Sequence, residues 1–215
     1  MARVWRTSPA ARSSTTQTEP GGAPSGRGAS RAASSRQGLQ LAAANSLAGG
    51  EDVYFKVIRG KTAALFEAAT QSGAMVSGAS PDAVEALRAY GDSLGLAFQI
   101  ADDLLDYGGA SAALGKNSGD DFREGKATLP VILEHERADE AGRAFWRRVI
   151  ERREQTADDL ETAVALMERS GALADARARA DAYAARARDA LSIFPDTPLR
   201  AAMSDIADFM VSRAH

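Results

Sequence analysis

The stretch that decides the fold is Ser80–Tyr107, SPDAVEALRAYGDSLGLAFQIADDLLDY. Ser80 is a typical helix N-cap, and Pro81 suits the first helical position because its missing N–H is not needed there. Apolar residues then recur every three or four positions, the period of one helix face, and two glycines after Tyr107 end the run. The pattern therefore predicts one long helix. Its apolar face consists of Leu87, Tyr90, Leu94, Phe98, Ala101 and Leu105.

The end of this stretch, FQIADDLLDY, carries three carboxylates inside an apolar run. On a helix, Asp106 is one turn from both Asp102 and Asp103, so the three acids share one surface. Such acids repel each other unless a cation neutralises them, and Mg²⁺ prefers oxygen ligands and keeps several waters. A solvated acidic face is the alternative interpretation. Because Ile100 and Leu104 lie on other faces, we favour a buried helix whose acids line a wet cavity.

Length and composition indicate an ordinary folded protein with one substantial core. The 215 residues are 45% hydrophobic and 26% charged, and the net charge of −3 argues against nucleic acid as a general partner. There is no cysteine, which excludes disulfides and thiolate sites and agrees with a reducing cytoplasm. No apolar run approaches the roughly 18 residues that span a bilayer. The two histidines, His135 and His215, are too far apart to indicate a histidine metal cluster.

The first 37 residues differ from the rest of the chain. They are rich in Ser, Ala, Arg, Gly and Pro, and Glu19 is their only acid. We expect this segment to be disordered, since so few large apolar residues cannot offset the entropy of ordering. An organelle transit peptide and an aberrant start that replaces a genuine N-terminal half are the two alternatives. The folded part is expected over residues 38–215.

From residue 38 onward the pattern is helical, without the sustained two-residue alternation that indicates a strand. We therefore predict an all-α fold of the helical-bundle class. The segment before the long helix is expected to place on one buried face Tyr54, Val57, Ile58, Leu65, Phe66 and Ala69. The last helix begins with Thr197 as cap and Pro198 as first residue. It is expected to bury Leu199, Met203, Ile206 and Met210.

Three lysines lie in positions where they can contact a phosphate. Lys61 and Thr62 follow Gly60 in RGKTAAL, and Lys116 and Lys126 bound a glycine-rich loop, GKNSGDDFREGK. Glycine permits close approach of the backbone, and a neighbouring lysine can act as a point charge on a phosphate. Each signal alone is weak, and RGKT lacks the upstream spacing of a P-loop. Together with the aspartate helix, the lysines indicate a site for Mg²⁺ and a diphosphate.

The motifs RGKTAALF, FQIADDLLDY and LGKNSGDDFREGKATLP, in this order and spacing, resemble the second half of the all-trans polyprenyl diphosphate synthases. The likeness is greatest to the long-chain bacterial enzymes that make quinone side chains, and it extends from about Arg36 to the C-terminus. It implies an isoprenoid-synthase-type helical bundle around a deep cavity, incomplete at its N-terminal side. It also implies Mg²⁺ as cofactor, isopentenyl diphosphate and an allylic diphosphate as substrates, and assembly as a homodimer or a heteromer.

The resemblance also implies a role for each matching residue. Asp102, Asp103 and Asp106 would form one of the family's two aspartate-rich metal sites, with Asp102 in direct contact with the ion. The residues implied to bind the allylic diphosphate are Lys61, Thr62, Gln99, Lys116 and Lys126. The implied catalytic residues are Lys61, Lys116 and Asp102.

The chain departs from the family pattern before the long helix. The family's first aspartate-rich motif belongs on an earlier helix, but residues 1–37 contain no aspartate. We therefore expect a truncated or mis-started chain that is weakly active or inactive alone and exposes apolar surface. Asp120 and Asp121 are expected to orient the lysine loop rather than bind metal. A non-catalytic subunit of a heteromeric synthase is the alternative, and a related terpenoid enzyme of the same fold is a weaker third.

Overall fold

The computed structural model of the chain describes residues 45–108 and 119–213, and every regular element in those ranges is helical. The α-helices are α1 (Gly50–Ile58), α2 (Ala64–Val76), α3 (Pro81–Leu105), α4 (Asp120–Arg123), α5 (Leu129–Arg137), α6 (Glu140–Trp146), α7 (Asp159–Arg169), α8 (Ala172–Ala190) and α9 (Pro198–Ser212). A first π-helical turn, Arg59–Ala63, follows α1, and a second, Arg147–Glu151, follows α6. The predicted all-α class is confirmed. The predicted segment 1–37 and Lys116 lie outside the described residues.

Helix α3 contains the aspartate motif and is the central element of the bundle. The Ser80 hydroxyl accepts a hydrogen bond from the Ala83 amide at 3.3 Å, which confirms the predicted N-cap. The 25 residues of α3 form a rod of about 38 Å, and its buried residues all lie from Tyr90 onward. Helix α3 packs mainly against α2 and α8. The half of α3 that carries the acids is therefore the half held inside the bundle.

Small residues bring the neighbours of α3 close to its backbone. A Cβ atom at Gly95 would lie 2.5 Å from the Cα of Ala63, and one at Gly91 would lie 2.6 Å from the carbonyl oxygen of Phe66. Helix α8 in turn buries a stripe of alanines, namely Ala172, Ala176, Ala180, Ala184 and Ala187. Contact at the level of the backbone fixes the distance between α3 and the first π-helical turn.

Two hydrophobic clusters fill the bundle. The larger combines the second half of α3 with α5, α6, α7 and α8, and it includes the fully buried Ile100 and Trp146. The smaller joins the middle of α3 to the end of α8 and to α9, where the Tyr90 hydroxyl donates to the carbonyl oxygen of Met203 at 2.9 Å. None of the described helices has the length and apolar content needed to cross a bilayer.

The outer faces of α2 and α9 differ from the expectation. Leu65, Leu199 and Ile206, predicted to be buried, are 72%, 71% and 43% exposed, and Ala69, predicted for the same face as Leu65, is also exposed. In α9 the reason is that another face, with Ala207 and Val211, packs on the bundle. Further exposed apolar side chains are Met75, Val76, Ile193 and Phe209. The predicted exposure of apolar surface is therefore present in the part of the chain that the structure describes.

Gly95→Ala is expected to lower the free energy of unfolding by about 1–2 kcal/mol, because the new methyl group must displace the backbone at Ala63. The gain in helix propensity, about 1 kcal/mol, offsets only part of that cost. Gly73→Ala in α2 is the matched control, since nothing lies within 4 Å of a Cβ there, and it is expected to stabilise by about 0.5–1 kcal/mol. Urea unfolding measures both variants, and a stabilising Gly95→Ala would contradict the close contact.

A bidentate ion pair joins the second π-helical turn to the start of α7. Arg148 donates to both carboxylate oxygens of Asp159, at 2.7 and 2.8 Å. The Thr156 amide donates to the same carboxylate at 2.6 Å. Asp159 is buried, and the hydrogen bonds from Arg148 hold the pKa of its carboxyl well below the ordinary range. The unfolded chain therefore takes up this proton at a higher pH than the native state does.

We expect this ion pair to stabilise the fold at neutral pH and to lose that effect in acid. Because the native pKa is lowered, the contribution is complete above the unfolded pKa of about 3.9 and declines as the pH falls further. Asp159→Asn should lower the unfolding free energy at pH 7 by about 1–3 kcal/mol, with a smaller loss at pH 3. Urea titrations at both pH values measure this, with the exposed Asp158→Asn as control. An equal loss at pH 3 and pH 7 would refute the linkage.

Candidate functional site

A cavity of about 190 Å³ lies between α1, the first π-helical turn, α3 and the segment that leads into α5. Its walls contain five of the predicted site residues, Lys61, Gln99, Asp102, Asp103 and Lys126. The other wall residues are Tyr54, Val57, Ile58, Asp121, Ala127 and Thr128. Thr62 is bonded to Gln99, and Asp106 lies outside the lining. Apart from Lys116, which is not among the described residues, the predicted site is thus gathered in one region.

Lys61 reaches the cavity from a π-helical turn rather than from a regular helix. Such turns are rare and often occur at functional sites. The Arg59 guanidinium pairs with Asp92 of α3 at 2.9 and 3.2 Å. At the other end of the turn, Ala63 abuts Gly95. Both ends are therefore held against α3, and the exposed Lys61 side chain starts from a fixed backbone.

A chain of hydrogen bonds fixes the carboxylate of Asp103. The Thr62 hydroxyl donates to Gln99 Oε1 at 2.8 Å, and Gln99 Nε2 donates to Asp103 Oδ1 at 2.9 Å. The Tyr54 hydroxyl donates to the second carboxylate oxygen, Asp103 Oδ2, at 2.8 Å. Tyr54 and Asp103 are both buried. The chain connects α1 and the first π-helical turn to α3 and engages both oxygens of Asp103.

Burial changes the protonation of Asp103 and its partner. It raises the pKa of Asp103 to about 7, although hydrogen bonds from Gln99 and Tyr54 oppose the rise. The nearby charges of Asp121 and Asp102 add to it. Burial, together with the Asp103 charge, also raises the pKa of Tyr54 well above its ordinary value. Asp103 is therefore a buried carboxyl held by two side-chain hydrogen bonds, and its role as a metal ligand stays a prediction.

Asp106 ties the end of α3 to the start of α4. Its Oδ2 accepts hydrogen bonds from the amides of Asp121 at 3.0 Å and Phe122 at 3.3 Å. Its carbonyl oxygen accepts one from Gly119 at 2.9 Å, and Gly119 has a φ of 86°, which glycine adopts without strain. Burial raises the pKa of Asp106, the Asp121 charge adds to the rise, and the amide hydrogen bonds oppose it. Asp106 therefore anchors the segment that carries Lys126, and its role as a metal ligand stays a prediction.

Lys126 is held at the cavity by acids of its own segment. Its Nζ contacts Asp121 Oδ1 at 2.6 Å and Glu124 Oε2 at 2.7 Å. Burial lowers the pKa of Lys126, but the hydrogen bonds to these two carboxylates outweigh it, and the overall shift is upward. Asp121 thus orients the lysine, in agreement with the prediction. Asp120 instead pairs with Arg123 at 2.7 Å.

Sequence reasoning misses two contributions to this site. Tyr54 fits the apolar face of α1, and the local pattern does not show that its hydroxyl meets a carboxylate 49 positions later. The usable signal is that a buried tyrosine needs a hydrogen-bond partner. Thr128 is the second, a wall residue whose hydroxyl shares a hydrogen bond with the Tyr107 hydroxyl at 3.1 Å.

The acids of the cavity fit a hard divalent cation that retains water. Asp102, Asp103 and Asp121 line it with carboxylate oxygens, the ligands that Mg²⁺ prefers. Within residues 45–108 and 119–213, no three Asp, Glu, His or Cys side chains are grouped so as to hold a metal ion by themselves. Asp102 is less buried than Asp103. Asp102 is therefore the more accessible carboxylate of the two.

The family model described as polyprenyl synthetase matches residues 29–167 of the chain. The octaprenyl diphosphate synthase of Escherichia coli (strain K12) is 41% identical over 177 residues. The all-trans-nonaprenyl-diphosphate synthase (geranyl-diphosphate specific) of Rhodobacter capsulatus is 39% identical over 175 residues. Each match covers 81% of this chain, but 54% and 53% of the respective relative. The chain therefore spans about half the length of these curated relatives.

Solved structures agree with this relationship. The decaprenyl diphosphate synthase of Rhodobacter capsulatus matches with a TM-score of 0.79 and 54% identity, over 88% of this chain and 58% of that one. The polyprenyl synthase of Caulobacter crescentus CB15, complexed with calcium and isoprenyl diphosphate, has a TM-score of 0.79 and 48% identity over the same shares. The predicted isoprenoid-synthase-type helical fold is confirmed. On the sequence and the fold together, this chain belongs to the polyprenyl synthetase family.

Proposed function

We propose that this chain belongs to a Mg²⁺-dependent prenyltransferase, which condenses isopentenyl diphosphate with an allylic diphosphate, and that it contributes the residues of the allylic diphosphate site. The product would be an all-trans polyprenyl diphosphate for isoprenoid or quinone side-chain synthesis. The observation that carries the proposal is the cavity that Lys61 and Lys126 line together with Gln99 and Asp102. The names of the relatives support it, and so does the Caulobacter crescentus structure, which is complexed with calcium and isoprenyl diphosphate.

We assign the cationic side chains to the allylic diphosphate. Lys61 and Lys126 bring positive charge to the cavity, and Lys116 is proposed to add a third cation. Thr62 and Gln99 are proposed to add hydrogen bonds: Gln99 Nε2 has a second N–H besides the one it donates to Asp103, and the Thr62 hydroxyl would turn from Gln99 Oε1 to donate. Charges that are already in place need not reorient when negative charge develops on a leaving group, and they lower the barrier for that reason.

The proposed reaction breaks the bond between the allylic carbon and the diphosphate oxygen, and the electron pair leaves with the diphosphate. The double bond of isopentenyl diphosphate attacks the allylic cation, and loss of a proton restores an alkene. Bound Mg²⁺ would act as a Lewis acid toward the departing diphosphate. Asp102 is proposed as its protein ligand. The lysines hold the diphosphate so that it leaves from a fixed position.

We assign Asp103 and Asp106 to positioning. The hydrogen bonds of Asp103 to Tyr54 and Gln99 support this role, because they orient the α3 turn that carries Asp102. The amide hydrogen bonds to Asp106 support it as well, since they hold the segment from which the second lysine of the cavity extends.

We also propose that the 215-residue chain has little condensation activity by itself. The support is that it spans about half the length of the synthases named above.

A non-catalytic subunit of a heteromeric prenyl synthase is the second candidate. The exposed Leu65, Val76 and Leu199 favour it, because such side chains suit a partner surface.

We propose a cytoplasmic location as well, with which the lack of cysteine agrees.

Farnesyl diphosphate is expected to bind the chain when Mg²⁺ is present and to bind weakly after chelation by EDTA. Asp102→Asn should weaken the Mg²⁺-dependent binding at least about tenfold, since the ion loses a charged ligand. Titration calorimetry measures the affinities, and Asp205→Asn on the exposed part of α9 is the matched control. Unchanged affinity of the Asp102 variant would argue against its role at the metal.

An elongation assay with farnesyl diphosphate, isopentenyl diphosphate and Mg²⁺ separates the two candidate functions. We expect little product from the chain alone. Co-purification with a complete synthase, together with a rise in its activity, would favour the subunit role. Robust elongation by the chain alone would overturn the proposal of low intrinsic activity.

Tyr54→Phe is expected to lower the unfolding free energy by about 1–2 kcal/mol, because the buried Asp103 carboxylate loses a donor. Its effect on Mg²⁺-dependent binding of farnesyl diphosphate should be smaller than that of Asp102→Asn. Tyr183→Phe is the control, since Tyr183 contributes its ring to contacts with Phe55 and Arg186. Equal stability of the two tyrosine variants would contradict the assignment.

A further inference from the structure

A second cavity, of about 540 Å³, lies between the C-terminal end of α5 and the helices α6 and α7. It shares no wall residue with the first cavity, which Lys61 and Asp102 line. Sites for small molecules typically enclose about 300–1,000 Å³. The walls combine four charged side chains with an apolar surface, and two of the four, Arg137 and Asp139, are engaged in contacts of their own. The two other charged residues and the apolar ones are Glu134, Arg169, Ala138, Ala141, Phe145 and Leu166.

Glu134 lines this cavity, and one of its two carboxylate oxygens has no hydrogen-bond partner among the described residues. The residue is 4% exposed, and its Oε2 is buried without a hydrogen-bond partner in the described part of the chain. Burial raises the pKa of Glu134, whereas the charge of Arg169 opposes the rise. Buried polar atoms almost always have a partner, so an atom without one points to water, an ion or a ligand. A bound donor would supply what the fold leaves out.

Arg169 is the counter-charge in the same wall, but it does not reach Glu134. It forms no ion pair and no hydrogen bond with the described residues. The other charged groups nearby are already engaged. Arg137 donates to the Ser170 carbonyl oxygen at 3.0 Å and pairs with Asp175, and Asp139 caps α6 by accepting from an amide at 2.8 Å. Glu134 and Arg169 therefore line the same cavity, with no hydrogen bond or ion pair between them.

We propose that this cavity binds a small zwitterion of the α-amino-acid class that has an apolar side chain. The ammonium group of the ligand donates to Glu134, and its carboxylate accepts from Arg169. Its side chain lies against Phe145 and Leu166. A divalent cation fits less well, because the guanidinium of Arg169 repels it. The same repulsion disfavours a polyamine.

Titration calorimetry on the whole chain with L-leucine, L-methionine and L-phenylalanine tests this proposal. Isoamylamine and 4-methylpentanoate, which each keep one of leucine's two charges, are the matched probes. The tightest of the three amino acids should bind at least about tenfold more strongly than either single-charge probe, since each charge-assisted hydrogen bond adds to affinity.

Variants of the two charged residues complete the test. Glu134→Gln and Arg169→Gln should each weaken amino-acid binding at least about tenfold, while Glu136→Gln and Arg143→Gln, at exposed positions nearby, should not. Circular dichroism checks that each variant is folded, and Phe145→Leu gives a second, uncharged probe of the same wall. Absence of binding by all three amino acids at millimolar concentration would overturn the proposal. Equal affinity for isoamylamine, or binding that survives Arg169→Gln, would overturn it too.

Discussion

The backbones of α2 and the first π-helical turn approach the backbone of α3 at Gly91 and Gly95, where even a Cβ atom would lie within 2.6 Å of a backbone atom of the neighbour. This contact lies within about one helical turn of Gln99 on α3 and of Lys61 on the first π-helical turn. It therefore sets the distance between the Lys61 ammonium group and the aspartates of α3. If the site holds a diphosphate as proposed, it would tolerate little change in that distance, because misplacement by about 1 Å can cost a large factor in rate. The hydrogen bonds and the cavity depend on this spacing.

One short motif places three identical carboxyl groups in three environments. Asp103 is buried and satisfied by side-chain donors, Asp106 is satisfied by backbone amides, and Asp102 lines the cavity. Burying a carboxylate is unfavourable unless such donors are present. The acids that look equivalent in the sequence thus have different partners: Asp102 and Asp103 both line the cavity, but Asp103 is engaged by two side chains, and Asp106 binds the amides at the start of α4.

The sequence predicts the features that depend on local pattern. The helix start at Ser80 and the proximity of Lys61 and Lys126 to the aspartate helix agree with the structure. The hydrogen bond of Tyr54 to the aspartate helix does not follow from the pattern, because it joins segments far apart in the chain. Periodicity also finds the apolar stripe that includes Leu199, but it does not say which neighbour covers that stripe. The π-helical turn has no signal, since its residues also suit an ordinary helix.

The alanine stripe of α8 has an entropic consequence for the aspartate helix. Alanine has no rotamers, so burying these side chains loses almost no conformational freedom, whereas each leucine in their place would lose about 0.5–1 kcal/mol. Methyl groups also have no alternative packing arrangements to exchange among themselves. Where α8 meets α3, its main neighbour, packing therefore costs little side-chain entropy on the α8 side. The helix that carries the acids is held against a surface that has almost no rotamer freedom to lose.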